Sequence, residues 1–364
     1  MNKIKIVQIE NFYRNFLSNE YGNNKYLSTL CYESQIDHLL KTGWSSGQNV
    51  TPYLNPSHFE AHYIIPTHER LQRLWAEENL YSPLIELDEI LFLQLKKIRP
   101  QIIYLSDIPC FNFDILDGLD YRPFIVAWHA TSLSNNTKWG SVDLLLSGVE
   151  GIRNKALSLG VRAVEEFMSA APNYMQSNKF HRTSISGDVC FSGSFIPRLH
   201  DSRVQLFHAL SKTITPFKFD IYCDQVVDFG TSVNLNLFPA VFAKDVVSLY
   251  SSYRIVIDSR ADFGLGDFGF NSETSNMRIF EATKAGALLV TQASSNIHKY
   301  FRDGIEIITY ENLIDLSEKI RYFLNPINET ERIKIAFNGQ RRAVLDHSIE
   351  SRALWFAELI FKYI

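Results

Sequence analysis

Short apolar runs alternate with segments of helical periodicity along most of this 364-residue chain. Apolar runs bounded by polar residues predict buried β-strands, whereas apolar residues spaced three and four apart predict helices that cover a sheet. A strand–helix–strand order of this kind is typical of a parallel sheet with helices on both faces. The alternation therefore predicts an α/β protein with doubly wound sheets.

The alternation forms two series. The first has predicted strands and helices at Lys3–Ile9, Asn24–Thr42, His68–Asn79, Ile85–Ile98, Ile102–Leu105, Phe124–Trp128, Val142–Leu146 and Glu150–Leu159. The second has them at Asp188–Ser192, Ser202–Lys212, Phe219–Cys223, Ala243–Ser252, Arg254–Asp258, Ala287–Thr291, Ile305–Ile308, Leu313–Leu324 and Glu329–Leu345. We predict an N-terminal domain at residues 1–180, a C-terminal domain at 187–345, and a helix at 346–364 that can pack back on the first domain.

Composition excludes several classes of protein. The formal net charge of −4 offers no electrostatic basis for binding nucleic acid. The four cysteines are isolated from one another, so we expect free thiols in a reducing compartment. No apolar run is long enough for a signal peptide or a membrane span. We therefore expect a cytoplasmic protein, with peripheral association at the inner membrane face as an open alternative.

Two glutamates, Glu273 and Glu281, stand eight positions apart at the entrance and in the second turn of a predicted helix. A glycine-rich run at 264–269 precedes them, so the backbone there can approach a ligand closely. Ser275 or Thr274 can cap the helix and leave first-turn amides for an anion. The alternative is a first-turn carboxylate favoured by the helix dipole and a solvated surface residue, because two glutamates at one spacing are a weak motif.

The segment from Arg278 to Thr291 reads RIFEATKAGALLVT. It is followed by Phe-x-x-Gly-x-Glu from Phe301, Tyr-x4-Asp-Leu from Tyr310 and His-x4-Arg from His347. In this order the elements resemble the C-terminal half of the glycosyltransferase group 1 superfamily, and they are most similar to its CgeB-like branch of spore-maturation proteins. The resemblance implies the GT-B fold: two Rossmann-like domains and an interdomain cleft, with the donor site in the second domain and the acceptor site in the first.

The resemblance also implies roles for the glutamates and the residues between them. The family's E-x7-E pattern falls on Glu273 and Glu281, of which the second binds the nucleotide ribose and the first contacts the donor sugar. Asn276, Met277 and Arg278 then lie near the diphosphate. For Arg278 the alternative is a surface ion pair with Glu281 or Asp267. The loop at Asn271-Ser272, just before Glu273, departs from the loop of many relatives.

Related enzymes place a glycine-containing turn against the donor phosphates, and here it corresponds to Gly193 and Ser194 after a predicted strand. A nearby cation stabilises the departing diphosphate, and we prefer Arg198 to Arg203 for this role. The alternative is a tight turn with exposed arginines. Tyr222 and Phe238 match the regions that hold the base in similar proteins, although both residue types are more often buried in a core.

The first domain offers His129 and Asp107, each at the end of a predicted strand. Polar loops at such positions often carry catalytic groups, and a histidine there can bind a donor hydroxyl or act as a base. The alternatives are a hydrogen-bonded loop histidine and a helix-capping aspartate. Tyr13, Arg14 and Tyr21 fall in the predicted loop after the first strand, where acceptors are often met.

The sequence thus predicts a GT-B glycosyltransferase of polysaccharide biosynthesis. It would move a sugar from a nucleotide sugar to a glycan, lipid-linked or protein acceptor. Retention of anomeric configuration is expected from the E-x7-E pattern, and no cofactor or metal is expected because no Asp-x-Asp motif occurs. One alternative is an inverting transferase with His129 or Asp107 as base. The other is a non-catalytic protein that binds sugar nucleotides or glycans in polysaccharide assembly.

Overall fold

The computed structural model describes residues 3–45, 47–175, 185–225, 227–229, 234–260 and 273–364. Contacts divide the chain into two compact units: Met1–Met168 with Arg352–Ile364, and Ser169–Ser351. Each unit contains a six-stranded sheet in which every pairing is parallel. This architecture confirms the predicted α/β class with two Rossmann-like units.

The first unit has the strand order β2-β1-β3-β4-β5-β6. Its elements along the chain are β1 (Ile4–Ile9), α1 (Arg14–Asn23), α2 (Tyr32–Lys41), β2 (Phe59–Ile64), α3 (Glu69–Glu78), α4 (Leu87–Ile98), β3 (Ile102–Leu105), β4 (Phe124–Trp128), β5 (Leu144–Ser147), α5 (Glu150–Ser158) and β6 (Ala163–Glu166). All four residues of β3 and of β5 are buried, as expected of strands covered on both faces.

The second unit has the strand order β12-β11-β10-β7-β8-β9. Its elements are β7 (Gly187–Ser192), α6 (Asp201–Thr213), β8 (Phe219–Tyr222), β9 (Leu235–Phe238), α7 (Lys244–Ser251), β10 (Tyr253–Asp258), α8 (Arg278–Lys284), β11 (Leu288–Gln292), β12 (Ile308–Tyr310), α9 (Leu313–Leu324) and α10 (Glu329–Asp346). The last helix, α11 (Ile349–Tyr363), begins in this unit and ends in the first. The main core of the second unit is formed by side chains of β7, β8, β10 and β11 together with those of α6 and α9.

Three strands were missed by the sequence analysis, and all three lie at sheet edges: β2, β6 and β9. Edge strands are covered less completely, so they tolerate polar residues and lose the apolar signal. The strand β6, for example, ends in two adjacent glutamates and contains no fully buried residue. The fourth edge strand, β12, was predicted at Ile305–Ile308 and occurs at Ile308–Tyr310.

Two predictions near the N-terminus were wrong. Tyr13, Arg14 and Tyr21 were expected in one loop, but α1 begins at Arg14, so Tyr21 is helical. The predicted helix Asn24–Thr42 is shorter, because a 3₁₀ turn precedes α2. None of the described helices has the length and apolar character needed to cross a membrane.

One glycine allows α10 to pack closely in the second unit. A Cβ at Gly339 would lie 2.2 Å from the backbone oxygen of Glu306 and 3.5 Å from Cγ2 of Thr283 on α8. A backbone oxygen cannot rotate away as a side chain can, so any larger residue must displace the helix.

We predict that Gly339→Ala lowers the free energy of unfolding by about 1–3 kcal/mol through overpacking. Thermal denaturation should show a correspondingly lower melting temperature. Gly22→Ala is the matched control, because Gly22 is also helical but has open space around it. That variant should be neutral or more stable by about 0.5–1 kcal/mol. A Gly339→Ala protein that melts at the wild-type temperature would contradict the tight contact.

Candidate functional site

The carboxyl ends of β7, β8, β10 and β11 meet at one edge of the second sheet. Ser192 is in register with Tyr222 at the ends of β7 and β8, and Asp258 with Thr291 at the ends of β10 and β11. In open α/β sheets, ligands bind beyond this edge. The described residues at this edge therefore define the candidate site.

Asp258 is the buried centre of this edge, with 0% exposure. Its Oδ1 accepts hydrogen bonds from Arg278 Nη1 at 2.5 Å and Asn276 Nδ2 at 2.7 Å, and its Oδ2 accepts one from Thr291 Oγ1 at 2.8 Å. Burial alone would raise the pKa of Asp258, but the charge of Arg278 and these hydrogen bonds hold it below its ordinary value. The carboxylate is therefore ionised and bonded on both oxygens.

Arg278, the first residue of α8, connects Asp258 to the end of β7. Its Nε donates to the Ser192 carbonyl at 3.0 Å, and its guanidinium carbon lies 4.4 Å from the centre of the Phe191 ring. A Cβ at Gly193 would lie 2.5 Å from Nη2 of Arg278, so the turn after β7 needs glycine to admit the guanidinium.

The alternative for Arg278 was a surface ion pair with Glu281 or Asp267. The ion pair is instead with Asp258, and it is largely buried. Asp267, the glycine-rich run at 264–269 and the Asn271-Ser272 loop lie outside the described residues.

Glu281 lies in the first turn of α8 and is half-buried. No described residue forms a hydrogen bond or a close ion pair with its carboxyl group. Burial raises the pKa of Glu281 to about 7, and the charge of Arg278 opposes that rise. Burying part of a carboxyl group without hydrogen-bond partners costs free energy. The carboxyl oxygens of Glu281 are therefore available to a ligand.

The chain approaching α8 is held by two side chains that the sequence analysis missed. Asn296 brackets the backbone of Thr274, accepting from its N–H at 2.7 Å and donating to its carbonyl at 2.8 Å. Arg260 donates to the carbonyls of Glu273 at 3.3 Å and Ala293 at 2.6 Å. The backbone from the Glu273 carbonyl through Thr274 is thereby fixed.

The predicted cap of this helix was wrong. Neither Ser275 nor Thr274 caps α8, which begins later than expected, after Met277. The side chain of Asn276 instead accepts a hydrogen bond from the backbone N–H of Arg278 at 2.9 Å. Asn276 therefore bonds both Asp258 and the start of α8, and no sequence signal distinguished it from its two hydroxyl-bearing neighbours.

The two arginines near the turn after β7 differ in environment. Arg198 is exposed, has φ of 67°, and donates its backbone N–H to Asp201 Oδ1 at 2.9 Å. Arg203 is only 5% exposed. It donates to the carbonyls of Ser194 and Ser259, each at 2.7 Å. Arg203 therefore joins the turn after β7 to the end of β10, whereas Arg198 presents its side chain to solvent.

Tyr222 and Phe238 end the neighbouring strands β8 and β9, and their rings stack 4.9 Å apart at an angle of 18°. The Tyr222 hydroxyl lies 2.8 Å from that of Tyr253, which donates to Asp220 Oδ2 at 2.7 Å. Phe238 is 39% exposed. The pair therefore forms an anchored aromatic surface at the same edge of the sheet as Asp258.

In the first unit, Asp107 and His129 follow the adjacent strands β3 and β4. Asp107 is half-buried and accepts a hydrogen bond from Asn11 Nδ2 at 3.1 Å. His129 is buried, with Nε2 3.2 Å from the Ser132 carbonyl and 3.1 Å from Thr131 Oγ1. Burial lowers the pKa of His129, while contact with Ser132 and the charge of Asp107 oppose this. The ring is therefore neutral at pH 7, and its Nε2 contacts its own loop.

In the part of the chain that the structure describes, no three His, Cys, Asp or Glu side chains are grouped as metal ligands. Cys31, Cys190 and Cys223 are not in disulfide bonds.

Residues 203–358 match the family model described as glycosyl transferase-like. None of the curated proteins compared matches this sequence. Among solved structures, the chain is similar to HepE of Anabaena in complex with UDP and glucose, with a TM-score of 0.60 and 12% identity over 99% of this chain and 100% of that one.

Two further structures are similar over nearly the whole chain. A glycosyltransferase from Rickettsia africae has a TM-score of 0.61 and 12% identity, covering 100% of this chain and 99% of that one. The sucrose-phosphate synthase of Thermosynechococcus elongatus has a TM-score of 0.58 and 10% identity, covering 99% of each chain. These likenesses confirm the predicted GT-B fold, while the CgeB-like branch stays a prediction. Residues 203–358 are therefore similar to the glycosyl transferase-like family, the class that the sequence predicts, and the chain has a GT-B fold.

Proposed function

We propose that this protein transfers a sugar from a nucleotide-sugar donor to an acceptor hydroxyl, with the donor bound at the carboxyl edge of the second sheet. The observation that carries the proposal is the open carboxyl group of Glu281 beside the buried Arg278–Asp258 pair. The family match over residues 203–358 supports the reaction class.

Glu281 is proposed to bind the ribose. Its carboxylate can accept two hydrogen bonds from neighbouring hydroxyls, and the vicinal diol of a ribose offers two donors at that spacing. These hydrogen bonds would compensate the carboxylate for the hydration that it loses on burial, and they would favour its ionised form. Ligand binding would therefore lower the pKa of Glu281, which burial raises in the free protein.

The diphosphate is proposed to lie beside Gly193, Ser194 and the start of α8, with Asn276 and Met277 near it. Arg278 supplies positive charge there, and Asp258 and the Phe191 ring hold its guanidinium in one orientation. A fixed cation stabilises the negative charge that develops as the nucleoside diphosphate departs, without reorganising during the reaction.

Three further donor contacts complete the proposal. Arg198, whose side chain is exposed beside the turn after β7, binds the departing diphosphate as a second cation. The stacked rings of Tyr222 and Phe238 hold the base. Glu273 contacts the donor sugar, because Arg260 and Asn296 fix the backbone around it. The structures of HepE contain UDP and glucose or UDP-glucose, which favours UDP-sugars as the first donors to test.

We further propose that transfer retains the anomeric configuration and needs no metal ion, because protein cations supply the charge at the leaving group. An inverting route through His129 or Asp107 is the alternative. The contacts of His129 Nε2 within its own loop favour a structural role over that of a base.

The acceptor is proposed to be a glycan, a lipid-linked sugar or a protein hydroxyl. An exposed stripe on α10 supports peripheral contact with an anionic membrane, where lipid-linked acceptors reside. It combines apolar Ile333, Phe337 and Leu345 with basic Lys334 and Arg341.

We predict that Glu281→Ala weakens UDP-glucose binding about 100-fold, because two hydrogen bonds to a charged group are lost. Isothermal titration calorimetry measures this change. Glu318→Ala on α9 is the matched control, since Glu318 is exposed in the same unit.

The enzyme proposal is contradicted if the wild-type protein neither binds nor hydrolyses any UDP-, GDP-, CMP- or ADP-sugar. If the protein binds a nucleotide sugar but never releases the nucleoside diphosphate, the non-catalytic alternative is correct.

The affinity for UDP-glucose should also rise about tenfold between pH 6 and pH 8, because Glu281 ionises across its pKa of about 7. UDP-glucose is a suitable ligand because its diphosphate, a diester, does not titrate in this range. Glu281→Gln should remove the pH dependence. An equally steep profile in that variant would assign the titration to another group.

The anomeric proton of the transferred sugar in the glycoside product, observed by NMR, should have the coupling constant of the donor's configuration. The reaction rate should be unchanged by EDTA. Opposite stereochemistry would overturn the retaining route, and loss of activity that Mg²⁺ or Mn²⁺ restores would overturn metal independence.

A further inference from the structure

A surface cavity of about 660 Å³ lies against α3 in the first unit. This volume is within the range of ligand-binding pockets, about 300–1,000 Å³. One face of α3 lines the cavity, since the lining residues of the helix stand three or four positions apart. They include Arg70, Arg73, Leu74 and Glu77, and the cavity is also lined by Ser28 in the 3₁₀ turn and by Gln35 on α2.

One end of this cavity lies at the carboxyl edge of the first sheet. Thr67, which follows β2, donates its hydroxyl to Asn11 Oδ1 at 2.7 Å, and Asn11 Nδ2 donates to Asp107 Oδ2 at 3.1 Å. The chain entering α3 is therefore tied to residues that follow β1 and β3. The next residue, His68, lines the cavity. Open α/β sheets bind ligands beyond this edge.

Contacts within the first unit hold two of the lining residues in place. Gln35 is only 2% exposed; its Oε1 accepts a hydrogen bond from the Tyr21 hydroxyl at 2.6 Å, and its Nε2 donates to the Leu30 carbonyl at 2.8 Å. The Tyr21 ring packs edge-on against the His68 ring, with ring centres 5.1 Å apart. Tyr21, which the sequence places among residues that can meet an acceptor, thus supports the wall of the cavity.

The cavity offers one cation and one carboxylate to a ligand. Arg73 donates through Nε and Nη2 to Glu69 Oε1, at 2.9 Å and 2.8 Å, so these two charges neutralise each other. The side chains of Arg70 and Glu77 form no hydrogen bond or ion pair with any described residue. Burial lowers the pKa of His68 to about 4, and the charge of Arg70 acts in the same direction, so the ring is neutral at pH 7.

The spacing of these two charges selects the kind of ligand. Arg70 and Glu77 are seven residues apart on α3, which is about 10 Å along the helix axis. A guanidinium matches a carboxylate or a phosphate group, whereas a carboxylate accepts hydrogen bonds from hydroxyl groups. A ligand that contacts both side chains is therefore anionic at one end and rich in hydroxyls at the other, and it is longer than one sugar ring.

We propose that this cavity binds an acidic oligosaccharide, with the carboxylate or phosphate of one sugar on Arg70 and the hydroxyl groups of the next sugar on Glu77. The inference rests on the proposed transferase function, for which it names acidic glycans as the acceptor class. The sequence analysis predicted the helix at His68–Asn79 but did not single out either residue, because the packing of one helical face against a cavity is not visible in a periodic pattern.

The test is isothermal titration calorimetry with three disaccharides that differ only at C6′: cellobiose, cellobiouronate and cellobiose 6′-phosphate. The two acidic sugars should bind about tenfold more tightly than cellobiose, because each adds a charge-assisted contact with Arg70. The tighter of the two identifies the anionic group that the cavity prefers. Equal affinities for all three sugars, or no binding of any of them, would overturn the inference.

Variants of the lining residues locate the binding. Arg70→Gln should remove the advantage of the acidic sugars and leave the affinity for cellobiose unchanged, whereas Glu77→Ala should weaken the binding of all three about tenfold. Lys96→Gln is the matched control, because it removes the same charge from an exposed residue of the same unit on α4. A loss in Lys96→Gln as large as that in Arg70→Gln would assign the preference to overall charge and overturn the site.

Titration with UDP-glucose separates this inference from the proposed function. Wild type and all three variants should bind UDP-glucose equally, since the altered residues belong to the first unit. A protein that binds UDP-glucose but none of the disaccharides contradicts the cavity's role alone. A protein that binds the acidic disaccharides through Arg70 but no nucleotide sugar contradicts the proposed transferase function, while the cavity remains a site for acidic sugars.

Discussion

The buried ion pair between Asp258 and Arg278 is the interaction on which the second unit's ligand edge depends. Through Asn276, Thr291 and the Ser192 carbonyl, it joins the ends of β7, β10 and β11 to the start of α8. Removing one partner of such a pair leaves an uncompensated buried charge and costs about 3–5 kcal/mol. The cation that we assign to the diphosphate therefore also holds the site together, which explains how it keeps one orientation.

Around this pair, polar side chains satisfy backbone groups that the sheet leaves unpaired. Parallel strands end in carbonyls without ladder partners, and buried carbonyls need donors. Arg203 binds the carbonyls of Ser194 and Ser259, which follow β7 and β10. Arg260 binds the carbonyl of Ala293, which follows β11, and that of Glu273 in the segment before α8. The guanidinium suits this task because it has five donors in a rigid plane. Asn296 does the same for the chain entering α8. Among the described residues, the chain just after β7, β10 and β11 and the chain entering α8 are thus held by side chains of the protein itself.

The sequence predicts some parts of this arrangement and not others, for physical reasons. Central strands such as β3 are apolar throughout and were identified, whereas the edge strands β2, β6 and β9 are partly polar and were not. Glu281 was singled out through the E-x7-E pattern, and its role stays a prediction. The role of Asp258 depends on burial and on partners such as Asn276, which is 18 positions away along the chain. Spacing along the sequence does not reveal such partners.

The most direct test of the account is a crystal structure of the protein soaked with UDP. The account predicts electron density at the carboxyl edge of the second sheet. The ribose hydroxyls should lie about 2.6–3.2 Å from the Glu281 carboxylate, with the diphosphate beside Gly193 and Arg278 and the uracil against the Tyr222–Phe238 pair. UDP bound elsewhere, or bound at this edge with no contact between its ribose and Glu281, would contradict the central claim.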